Sequence, residues 1–146
     1  MINEIIEIYN DSGQTAWSDP EFPADDTALY INPLDPPDYA DQSPNVPWYR
    51  PQQIYTGEAG PRMMVDGLKP GDVKQGLLGD CWLLGSFLCL ATNPDLLKNL
   101  IYHDGIKEGF SVFQFFKNGK WQYVVVDTRI PCNENKTPLY GHNTDL

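Results

Sequence analysis

Cysteine, histidine and early positive charge are all scarce in this 146-residue chain, and each scarcity removes a class of function. The three cysteines, Cys81, Cys89 and Cys132, are too few and too scattered for a disulfide framework, which points to a reducing, cytoplasmic setting. With only two histidines, His103 and His142, and no CxxC pair, a zinc site is excluded as a design. Both histidines read as surface or turn residues. No apolar run is long enough for a membrane span: the longest, residues 82–91, is broken by Gly85 and Ser86. The opening MINEIIEIYN carries acids where a secretory signal carries Lys or Arg, and Met1 is not followed by the glycine that myristoylation needs.

No Lys or Arg occurs before Arg50, whereas ten of the 20 acids do, and the net charge is −10. The remainder of the chain carries ten acids against ten bases, so the excess sits in the first third. Such an arm repels nucleic acid and anionic lipid, which argues against a nucleic-acid partner. Eight of the 13 prolines lie between positions 20 and 51. This stretch can hold neither long helices nor central strands. Yet Trp17, Phe22, Leu29, Tyr30, Ile31, Trp48 and Tyr49 lie in or beside it, and a free disordered tail has little use for aromatics. Residues 1–50 are therefore expected to form an acidic, proline-rich arm packed on a core made by residues 51–146.

Within that core, GLKPGDVKQGLLGD reads as loop. Asp80 then sits at an N-cap position before CWLLGSFLCLA, a helix apolar nearly all round and therefore expected to be fully buried. Asn93-Pro94-Asp95 predicts the cap, first residue and first-turn acid of a second helix, PDLLKNLIY. Next, GFSVFQFFK and KWQYVVVDTRI flank Asn118-Gly119, the strongest short-range hairpin signal there is. CNENKTPLYGHNTDL reads as loop. The expected class is α+β: arm, buried central helix, short helix, antiparallel hairpin.

Chemistry concentrates at QGLLGDCW, residues 75–82. A cysteine in the first turn of a helix lies in the field of unsatisfied N–H groups, which favours the thiolate, and the thiolate is the nucleophile. Gly79 and its neighbours let a substrate carbonyl approach the backbone. The side-chain amide of Gln75 and the backbone N–H of Cys81 are the two donors available to a developing oxyanion. Against this, free Cys is among the most buried residue types, and an apolar helix can hold Cys81 as packing. Cys89, mid-helix, reads as core, and Cys132 as an incidental loop residue.

The pattern Q-G-x-x-G-D-C-W resembles that around the nucleophile of the calpain family of cysteine proteases. WSDPEFPADDTALY, WYRPQQI and FQFFKNGKWQYVVVDTRIP are similar to three further segments of that family, in the same order. Thr128 stands where a second Asp is usual, and Gly85-Ser86 where alanines are common. The resemblance implies a papain-like Cys-His-Asn endopeptidase acting on protein or peptide substrates. Cys81 is then the nucleophile, Gln75 the oxyanion donor, and Gly79, Asp80 and Trp82 border the substrate cleft. It also implies a calcium ion, with the positions of Val65, Gly67 and Asp72 supplying two carbonyls and a carboxylate, donors that calcium accepts. Asp72 as a plain loop-capping residue is the competing reading. In that family His and Asn come from the second half of the protease core, so this chain is expected to carry the nucleophile half and to need the remainder of the core for catalysis. His142, in LYGHNTD, resembles a stretch of the first half and is not the general base. The alternative is a non-catalytic calpain-like binding or scaffold module.

Overall fold

Asn118 and Gly119 reverse the chain with φ of 53° and 77°, the left-handed geometry that a two-residue hairpin turn demands. The computed structural model containing this hairpin describes residues 16–37, 45–63 and 73–143, together with positions 3, 4, 7, 9, 11 and 13. Along the chain run α1 (Asp26–Leu29), β1 (Trp48–Tyr49), α2 (Pro51–Ile54), β2 (Val73–Lys74), α3 (Cys81–Ala91), α4 (Pro94–Lys98), β3 (Ile101–His103), β4 (Phe110–Lys117), β5 (Lys120–Asp127), β6 (Ile130–Pro131) and β7 (His142–Asn143). Helices and a mainly antiparallel sheet thus share one chain, as an α+β reading requires.

The largest sheet is β3-β4-β5, with β4 and β5 in register from Phe110↔Asp127 to Lys117↔Lys120. The root of β4 is the core. Phe110 and Val112 are fully buried there, as is Cys132 beyond β6. The tip is exposed, and Phe116 and Trp121 meet edge to face at 5.4 Å, an arrangement that aromatic quadrupoles favour. Two short ribbons, β1–β6 and β2–β7, and an isolated Cys132–Pro138 bridge complete the pairing among the described residues.

The proline-rich stretch behaves as its composition predicts. Among its described residues it contributes only four-residue helices and a two-residue strand. Asp25 caps α1 by accepting from Thr27 N, while Asp26 accepts from the amides of Asn45 and Val46. Trp17 packs edge-on to Phe110 at 5.7 Å, and its amide donates to the Glu108 carbonyl at 2.8 Å. Not all of the apolar arm residues are covered: Phe22, Ile31 and Leu34 are exposed.

Several expectations are corrected. The second helix stops at Lys98 rather than running on, and residues 101–103 are a strand paired with Val112 and Phe113. Asn93 caps it as expected, accepting from Asp95 N at 3.2 Å. The pairing beyond its end outweighs the weak helical preference of Ile and Tyr. Helix α3 forms where predicted but is not buried. Cys81, Trp82, Ser86 and Cys89 are exposed and only Ala91 is buried. Cys89 is thus not core. Among the described residues this helix packs mainly against α4, and a Cβ placed on Gly141 would meet Leu84 Cδ2 at 3.1 Å; an apolar sequence states that burial is favourable, not what supplies it. Cys132, expected in an open loop, is instead fully buried, bridged to Pro138 and donating from Sγ to the Ile130 carbonyl at 3.4 Å.

Candidate active site

The loop ahead of α3 is pinned before it reaches the cysteine. Leu77 N donates to the Leu139 carbonyl at 3.0 Å. At Gly76 the backbones are so close that a Cβ would overlap Leu139 O and Tyr140 Cα. Only glycine permits that approach. Beyond this anchor the chain opens out. Gly79 is exposed, and a Cβ placed on it would meet nothing within 4 Å.

Asp80 is the residue before α3, and its backbone carbonyl accepts the first helical bonds from Leu83 N (2.9 Å) and Leu84 N (3.0 Å). Its side chain makes no capping hydrogen bond, and Oδ1 is buried with no partner among the described residues. A carboxylate at this end of a helix is still favoured by the helix dipole. Cys81 follows as the first helical residue, exposed and free. Trp82 stands beside it, 72% exposed, a large apolar side chain presented to solvent. Exposed Leu77 and Leu78 border the same region. The arrangement can do what a thiol nucleophile requires: reach a carbonyl carbon, next to a backbone that a substrate can approach.

The structure does not bring Gln75 to Cys81 through a hydrogen bond. Gln75 Nε2 donates instead to the Leu78 carbonyl at 2.7 Å, within its own loop. An amide nitrogen carries two hydrogens, so one remains for a ligand. Val65, Gly67 and Asp72, the implied calcium ligands, lie outside the described residues. Among the described residues no cluster of three His, Cys, Asp or Glu could hold a metal ion. Two carbonyls and a carboxylate remain a donor set suited to calcium by their chemistry.

Neither histidine is simply a surface or turn residue. His103 lies in β3, stacked on Phe110 at 5.4 Å with Nε2 2.8 Å from Glu108 Oε2. His142 lies in β7, and its Nδ1 is 2.7 Å from the Tyr140 carbonyl. Both rings are committed to structural contacts. Sequence reasoning also assigned no role to Arg50 and Asp127, although they stand in the segments WYRPQQI and FQFFKNGKWQYVVVDTRIP. No helix among the described residues is long and apolar enough to cross a membrane.

A family model described as calpain family cysteine protease matches residues 17–145. The chain is 33% identical over 135 residues to the calpain-2 catalytic subunit of Homo sapiens, a match covering 90% of this chain and 18% of that protein. It is 35% identical over 135 residues to the calpain-1 catalytic subunit of Gallus gallus, again 90% of this chain and 18% of the relative. With the calpain-2 catalytic subunit of Mus musculus the identity is 33% over 133 residues, 88% and 18% respectively. The chain therefore spans about one fifth of the length of these relatives, at 18%.

Proposed function

Because this chain belongs to the calpain family of cysteine proteases, we propose that it supplies the nucleophile-bearing half of a calcium-dependent, papain-like endopeptidase core, with Cys81 as the nucleophile. Residues 1–50 act as an arm and 51–146 as the core half. The observation that carries this reading is Cys81 itself: a free, exposed thiol at the first residue of an 11-residue helix, next to the open backbone of Gly79. A structural cysteine gains nothing from that exposure, whereas a nucleophile requires it.

In the proposed reaction Cys81 Sγ attacks a peptide carbonyl and the thiol proton passes to an imidazole from the remainder of the core. The charge that develops on the carbonyl oxygen is met by Cys81 N–H and the free hydrogen of Gln75 Nε2. The imidazolium returns its proton to the departing amine, and water hydrolyses the thioester, freeing the second product and the thiol. Trp82, Gly79 and Asp80 shape the cleft wall. That neither His103 nor His142 is available as a base supports drawing the imidazole from elsewhere. Calcium would be held in part by Val65, Gly67 and Asp72 and would supply a fixed positive charge that aligns the core. The substrates are proteins or peptides, and the reducing cytoplasm is the setting that three free thiols suit.

The test is peptide hydrolysis by the complete protein carrying Cys81→Ala. Turnover should fall at least about 1,000-fold, as for loss of a covalent nucleophile, while calcium titration with Asp72→Ala should shift activation to higher calcium. Undiminished turnover in Cys81→Ala would remove Cys81 as the nucleophile, and no turnover in the unsubstituted protein would leave the non-catalytic binding or scaffold module as the reading.

A further inference from the structure

We propose that the cleft between the β2–β7 ribbon and the 133–137 turn is a binding site for the phosphate group of a small phosphate monoester. The cleft encloses about 310 Å³ and is lined by Lys74, Asn135, Lys136, Thr137, His142 and Asn143, among others. That volume lies at the lower end of small-ligand pockets. Its electrostatics are opposite to those of the molecule. The chain carries 20 carboxylates and ten Lys or Arg, yet among the described residues lining this cleft none is Asp or Glu, while two are lysines.

The fold places these groups together. Lys74 and His142 are directly opposed in the antiparallel β2–β7 register, so their side chains share one face of the ribbon. The facing turn is held by its own hydrogen bonds. Asn133 Oδ1 accepts from the amides of Asn135 (3.0 Å) and Thr137 (2.9 Å), and Lys136 N donates to the Asn133 carbonyl at 2.9 Å. Lys136 is held at φ 62°, a left-handed conformation that costs a non-glycine residue about 1–2 kcal/mol. Its ammonium lies 5.4 Å from the centre of the Tyr49 ring, a contact that limits its motion. No ion pair engages Lys74 or Lys136 among the described residues.

The donor set selects the ligand. The 2.7 Å contact of His142 Nδ1 with the Tyr140 carbonyl places the ring proton on Nδ1, since a carbonyl only accepts. Two ammonium groups match the two negative charges of a fully ionised phosphate monoester, and the Asn135 amide and Thr137 hydroxyl can donate to phosphate oxygens. A carboxylate has one negative charge and would leave the second lysine without a partner. The site stands independently of the peptidase reading.

The experiment is titration of the full chain with inorganic phosphate and with O-phosphoserine, at constant ionic strength and with chelator present, followed by calorimetry and by backbone amide NMR shifts. Both probes should saturate one site, with shifts centred on residues 73–74 and 135–143. Lys74→Gln and Lys136→Asn should each weaken binding about tenfold, the loss of one charge-assisted contact. Asparagine is chosen at 136 because it tolerates the left-handed backbone and keeps the turn. Lys98→Gln, which removes the same charge from the end of α4, should change nothing. Absence of saturation, equal weakening by Lys98→Gln, or binding of inorganic phosphate without O-phosphoserine would each overturn the proposal.

Discussion

Arg50 Nη1 lies 3.1 Å from Asp127 Oδ1, across 77 residues of sequence, and this pair fastens the arm to the hairpin. Arg50 also donates to the carbonyls of Gly109 (2.9 Å) and Trp17 (2.7 Å) and to Thr128 Oγ1 at 2.9 Å. Asp127 accepts from the amides of Asp19 (3.0 Å) and Arg129 (2.8 Å), and from Arg129 Nη2 at 2.8 Å. The two side chains are 17% and 8% exposed, so water screens them little. Burial alone would push the Asp127 carboxyl up. The Arg129 hydrogen bonds, the Asp19 amide and the Arg50 charge outweigh it and hold the group below the ordinary aspartate range. Burial lowers Arg50, against the pull of Asp127 and with a smaller contribution from Arg129; a guanidinium nevertheless stays charged.

Removing one partner leaves the other charge buried. Asp127→Ala and Arg50→Ala should each destabilise the chain by about 3 kcal/mol, read from urea unfolding as a lower midpoint. The double variant should lose less than the sum, with a coupling of about 1–3 kcal/mol. Strict additivity would show that the two residues act separately.

Acid should expose the same network. The folded value of Asp127 is depressed, so its contribution is complete above the unfolded aspartate value of about 3.9 and is lost as pH falls through the lower folded value. Unfolding followed between about pH 5 and pH 2 should show a shallower acid loss in Asp127→Asn than in the parent chain. Parallel curves would assign the acid sensitivity to other carboxylates.

Much of this fold was legible because its strongest signals are local. Asn118-Gly119 reports its own turn, and Asn93-Pro94 its own cap. Asn93-Pro94 also bounds the end of α3, whereas Asp80 precedes its start without a side-chain cap. What was not legible is non-local. Residues 101–103 become a strand only because Val112 and Phe113 offer a partner. Nothing near Arg50 names Asp127, and nothing near Lys74 names His142. At the candidate site the motif located the thiol, but the Gln75 bond to Leu78 depends on how the loop closes on itself.

Thiol chemistry separates the three cysteines. Cys81 and Cys89 are exposed, whereas Cys132 is buried and burial pushes its thiol up to about 11. Iodoacetamide near neutral pH should therefore modify Cys81 and Cys89 in the folded chain and reach Cys132 only after denaturant is added, as read by peptide mass. Early modification of Cys132 would contradict its placement between Ile130 and Pro138.

Two glycines in one loop should respond oppositely to the same methyl group. At Gly76 a Cβ would overlap the backbone of Leu139 and Tyr140, and backbone cannot rotate away as a side chain can. Gly76→Ala should cost about 2 kcal/mol or more of stability. At Gly79 the same Cβ meets nothing within 4 Å, so Gly79→Ala should alter unfolding by less than about 0.5 kcal/mol. It should nonetheless slow peptide hydrolysis by the complete protein, because the methyl occupies space that a substrate backbone needs beside Cys81. Denaturant midpoints and turnover measured on both variants separate the roles. Unchanged turnover in Gly79→Ala would remove Gly79 from the proposed cleft, and an unchanged midpoint in Gly76→Ala would show that Gly76 does not anchor the loop ahead of Cys81.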